Sequence, residues 1–75
     1  MPFAKKSITL FKKLMYYDNQ KSKLKIKTKD GKIYRCKLQS PAEGEEDLAY
    51  HIETLDDPPK YFILECNFID AIEEL

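Results

Sequence analysis

The sequence predicts a mainly β domain, one N-terminal amphipathic helix followed by a small five-stranded antiparallel barrel. Three observations carry that prediction. Apolar residues recur at helical spacing in the first seventeen positions. From Lys23 to Lys29 every second residue is lysine, and an Asp-Gly pair and a second alternating run follow at once. Two further strand-like runs are then separated by loops rich in Glu, Asp, Gly and Pro. Seventy-five residues make a single domain, because a second would have no core of its own. The expected layout is a helix over 3–17 and a barrel over 23–75.

The helix rests on Ala4, Ile8, Phe11 and Leu14 or Met15, with Leu10, Leu14 and Tyr17 widening the apolar stripe. Lys5, Lys6, Lys12 and Lys13 fall mainly on the other side. Asp18-Asn19-Gln20-Lys21-Ser22 is a polar, turn-prone break, and the basic residues before it suit a helix C-terminus. A basic amphipathic helix also suits a membrane surface. Here a β-rich segment follows and needs a cover, so the expectation is core packing and no membrane.

Period two in Lys23–Lys29 places Leu24, Ile26 and Thr28 on one face and the lysines on the other. Asp30-Gly31 is a hairpin signal, since glycine accepts the positive φ of a tight turn. The returning strand, Lys32–Leu38, turns Tyr34, Cys36 and Leu38 inward and Arg35 and Lys37 outward. Ser40 to Glu46 reads as a loop. Asp47 to Leu55 alternates again, with Leu48, Tyr50, Ile52 and Thr54 on one face and Ala49, His51 and Glu53 on the other. Pro58 and Pro59 cannot donate to a ladder and end that strand. Tyr61-Phe62-Ile63-Leu64 is continuously apolar, which predicts a strand covered on both sides. The tail from Asn67 to Leu75 fits either a helix start or a tight turn with a short last strand carrying Ile69 and Ile72. The expected core is Ile8, Phe11, Leu14, Leu24, Ile26, Tyr34, Leu38, Leu48, Tyr50, Ile52, Ile63, Leu64, Ile69 and Ile72.

Helix, strand, Asp30-Gly31-Lys32 turn, long second strand with Tyr34, Cys36 and Leu38, third strand, apolar fourth strand and an Ile69-x-x-Ile72 ending form an order that resembles the Sm-like members of the SH3-like small barrels. The resemblance spans about Phe3 to Ile72 and implies an SH3-like barrel that acts by binding. It also implies a bend eased by glycine where Cys36 stands. An Asp and Asn pair for base recognition would fall where this chain has Asp47-Leu48-Ala49-Tyr50-His51, and Arg-Gly or Lys-Gly where it has Cys66-Asn67. No RNA-site residue of the family therefore carries over.

The net charge of zero conceals a division. Residues 1–40 hold twelve basic residues against two acids, a net of +10, and residues 41–75 hold Lys60 against eleven acids, a net of −10. Such segregation suggests an acidic or basic partner, or faces that attract between copies. Interleaved strands would instead neutralise one another. Lys23, Lys25, Lys27, Lys29, Lys32, Arg35 and Lys37 lie on strands that the Asp-Gly turn makes adjacent. Together they are a candidate nucleic-acid-binding patch. On the same strands, exposed lysines also guard edges against aggregation. Tyr61, Phe62, Ile63 and Leu64, with the acidic half, are a candidate surface for a protein partner or for self-assembly into an oligomer.

Chemistry is not expected. His51 stands alone, the two cysteines show no CxxC spacing, and no glycine loop could cradle phosphate, so no metal, no cofactor and no catalytic residue is assigned. Cys36 and Cys66 sit in apolar strand contexts that make them buried hydrophobes rather than nucleophiles. Few cysteines, no secretory leader and no apolar run of about 20 residues suggest a reducing, cytoplasmic setting. So short a chain needs support beyond its own core, and oligomerisation is the expected source.

Overall fold

The computed structural model describes residues 3–75. Helix α1 (Lys5–Gln20) precedes strands β1 (Lys23–Thr28), β2 (Ile33–Glu43), β3 (Leu48–Thr54), β4 (Tyr61–Glu65) and β5 (Ile69–Glu74), with a 3-10 turn at Cys66–Phe68 joining the last two. All five strands form one antiparallel sheet in the order β4-β3-β2-β1-β5. β4 and β5 each pair on one side only, so the sheet is open. It is strongly curved all the same: the rings of Tyr34 on β2 and Phe62 on β4 meet at 5.0 Å although β3 lies between their strands.

Alternation sets the inner face as expected. Leu24, Ile26 and Thr28 of β1 are buried, as are Cys36 and Leu38 of β2 and Tyr50, Ile52 and Thr54 of β3. Each large apolar side chain there contributes roughly 1.5–3 kcal/mol relative to exposure. The helix lies over this face. Leu14 is fully buried, and Phe11 stacks obliquely on Tyr50 with ring centres 5.7 Å apart. Gly31 takes the positive φ (88°) that the Asp-Gly turn requires.

The structure corrects several expectations. The helix starts at Lys5 and runs beyond residue 17 through the polar break to Gln20. Basic residues do not close it. A Schellman motif does, with Lys21 in the left-handed region (φ 54°), the Ser22 N–H donating to Tyr17 O and the Lys21 N–H to Asp18 O. β2 continues through Pro41 to Glu43, because a bulge between Leu38 and Ser40 lets the chain turn with the sheet before the loop begins. β4 is not covered on both faces: Leu64 is buried and Phe62 packs on the core, but Tyr61 and Ile63 face out, so Ile63 is not a core residue. Ile8, Phe11, Tyr34, Leu48 and Ile72 are only half-buried. Cys36, Cys66 and Ala49 are fully buried in addition to the expected core. The tail is a strand, paired with β1 through Ile72 opposite Ile26.

Candidate nucleic-acid interface

Five of the seven cations of the basic patch share the outer face of β1 and β2. The register sets Lys23 opposite Lys37 and Lys25 opposite Arg35, while Lys27 lies opposite the exposed Ile33. Residues directly opposite in an antiparallel pair hold their Cβ atoms about 5 Å apart, and like charges there oppose pairing. Two successive like-charge pairs are therefore kept at a cost in stability. Lys29 and Lys32 lie beyond these rows, exposed in the turn. There the Asp30 carboxylate accepts from the Thr28 hydroxyl and from the Lys32 N–H, and these bonds hold its pKa below the ordinary value. Asp30 thus sits between the two turn lysines as a fixed anion.

Neutralisation is partial. β5 brings Glu73 to Lys25 (3.3 Å), and β3 brings Glu53 to Lys37 (3.8 Å), where Glu53 also accepts from Gln39 (2.8 Å). Both ion pairs are solvent-exposed at the lysine and are worth at most about 1 kcal/mol. Among the described residues, Lys23, Lys27 and Arg35 have no carboxylate within ion-pairing distance. Five cations against two carboxylates leave the face positive. Neither glutamate is a site residue in the sequence reading, because the strand register that delivers them is not readable from local pattern.

The apolar candidates divide. Tyr61 and Ile63 are exposed on the outer side of β4, whereas Phe62 and Leu64 belong to the core. His51 is half-buried on β3, and Cys36 and Cys66 lie inside the core, where burial pushes each thiol up to about 11. Such thiols are poor nucleophiles near neutrality. The described residues hold no cluster of three metal-ligating side chains, and none of their helices is long and apolar enough to cross a membrane.

Two polar contacts, one buried and one part-buried, position the helix against the sheet, and the sequence signals neither. Near its first turn, where Ala4 gives no side-chain cap, the Ser7 hydroxyl donates to the buried Asp47 carboxylate at 2.6 Å. In its last turn, Asp18 accepts from the Tyr50 hydroxyl at 2.7 Å. Burial first, and the Asp18 bond second, raise the Tyr50 pKa well above its usual value. Both bonds reach β3 or the residue just before it, so the helix is tied at two points to one strand.

No family model matches this chain, and neither a curated protein nor a solved structure does, so function is read from this geometry alone.

Proposed function

We propose that the protein is a non-enzymatic, SH3-like or Sm-like small-barrel protein that binds nucleic acid, RNA in particular, through the outer face of β1 and β2. The strand order, the helix over the inner face, the 3-10 turn before β5 and the Tyr34–Phe62 contact across β3 support the barrel reading. The unbridged cysteines suit a reducing, cytoplasmic setting. The binding reading is carried by one observation: the ladder sets Lys23 against Lys37 and Lys25 against Arg35, and two carboxylates compensate only part of that charge. A face built only for solubility gains nothing from like charges paired across strands. A polyanion restores the lost stability by lying along them. Lysines two apart on a strand repeat at about 6.8 Å, a spacing that suits successive phosphates of an extended single strand. Affinity then comes from counterion release and is sequence-tolerant.

The test is fluorescence anisotropy of a labelled oligouridylate at low salt, with the double variant Lys27→Glu, Arg35→Glu. Neither side chain is ion-paired, so the fold is unaffected and binding is lost. If the wild-type protein fails to bind at about 50 mM salt, or the double variant binds as well as wild type, the reading is wrong.

A further inference from the structure

At the far end of β2 the charge is reversed, and a different ligand fits. An open recess of about 400 Å³ is floored by Ile63, Leu64 and Phe68 and rimmed by Glu43, Glu45, Glu46 and Glu65, with no basic residue in its lining. The Glu65 carboxylate accepts the Glu46 N–H at 3.2 Å, and Gly44 leaves the room it occupies, for a Cβ on Gly44 would collide with that carboxylate. The acidic loop is thereby tied to β4. Beside the recess runs the unpaired edge of β4, with Tyr61 62% exposed, Ile63 50% and Phe68 53%.

From this juxtaposition we infer that β4 is a docking edge for an extended, lysine- or arginine-bearing segment of another protein. That segment adds to the sheet as a sixth strand, rests its apolar side chains on Ile63 and Phe68, and sets its cations among the four glutamates. Main-chain hydrogen bonds supply affinity in such strand addition, and alternate side chains supply specificity. Charge selects the occupant. This chain's own basic strand, β1, is paired on both sides and has no edge to offer. Its other free edge, β5, carries Asp70, Glu73 and Glu74, so a second copy presenting β5 would add carboxylates to a rim that already lacks cations. Lys60 directly precedes β4 in the chain and is not among the residues that line the recess. Docking at this edge goes beyond nucleic-acid binding on the basic face and does not depend on it.

The experiment is titration of the intact protein with a capped peptide of about nine residues alternating lysine and valine. A peptide of equal charge carrying N-methyl groups at alternate backbone nitrogens is the control. The unmethylated peptide is expected to bind, and the methylated one to bind at least about tenfold more weakly because it cannot complete the ladder. Ile63→Lys and the pair Glu45→Lys, Glu46→Lys change exposed side chains, keep the thermal midpoint, and each abolish binding. Equal binding of the two peptides overturns strand addition, and no binding at about 50 mM salt overturns the site. A dimer in native mass spectrometry that Ile63→Lys dissociates would put a second copy on the edge and also overturn it. Ile63 lies two strands from the basic face, so loss of oligouridylate binding in the Lys27 and Arg35 variant, or its absence, is scored separately.

Discussion

At the scale of single residues, the core of this protein contains groups whose chemistry matters only through burial. Cys36 and Cys66 are both fully enclosed, and desolvation of the thiolate pushes each pKa up to about 11 from an ordinary 9.0. Well below pH 9 the thiols are protonated whether the chain is folded or not, and they add no pH dependence. Above that value the unfolded chain releases protons that the folded chain retains, so stability falls as pH rises from 9 towards 11. A rise of that size corresponds to a loss on the order of 2–3 kcal/mol per thiol once both states have ionised. Urea unfolding at about pH 7 and about pH 10 should show a fall in stability that Cys36→Ala with Cys66→Ala largely removes. A wild-type midpoint that stays flat across that interval would contradict the burial of both thiols. The sequence marks these positions as small hydrophobes by their apolar neighbours, and the structure agrees. The sequence gives no sign that Asp47 is buried, since its hydrogen-bond partner Ser7 lies forty positions away.

At the scale of elements, strand alternation in β1 and β2 is legible because each residue's environment there depends on its own parity. The Asp-Gly turn then fixes the pairing. β4 departs from expectation for the opposite reason. Tyr61-Phe62-Ile63-Leu64 is apolar throughout, and a continuous run predicts two covered faces. Whether a strand's second face is covered is decided by what packs on the sheet, and here the core lies on one face only, leaving Tyr61 and Ile63 exposed on the other. The helix runs past its expected end because Asp18, a turn former by local preference, is held in the last helical turn by Tyr50. These differences separate two isoleucines that the sequence ranks equally. Ile26 is fully buried between β2 and β5, and truncation to alanine should cost about 2–5 kcal/mol. Ile63 is half-exposed, and the same truncation should change stability by no more than about 0.5 kcal/mol. Chemical denaturation of Ile26→Ala and Ile63→Ala measures the contrast, and comparable losses at both sites would return β4 to the interior.

At the scale of the whole molecule, charge segregation along the chain becomes segregation in space, which the sequence alone leaves open. β5 and β3 do carry acids to the basic strands, and this is where interleaving neutralises. It reaches Lys25 and Lys37 and stops there. Glu43, Glu45, Glu46 and Glu65 gather instead at the far end of β2, eight residues beyond Arg35, or about 26 Å of straight strand before the bulge shortens it. The screening length at 0.1 M salt is about 10 Å, so the two ends act as separate fields at physiological ionic strength. It follows that acids near the patch and acids in the loop have different effects on a polyanion. Glu73→Gln frees Lys25 at the cost of a surface ion pair and should tighten oligouridylate binding. It should also steepen the salt dependence by about 0.7 in the slope of log K against log salt, the increment of one further phosphate contact on a single strand. Glu45→Gln removes the same charge from the other end and should alter neither quantity at about 0.15 M salt. Equal effects from the two variants would mean that the ligand responds to net charge alone, and that the paired lysines of β1 and β2 do not form its seat.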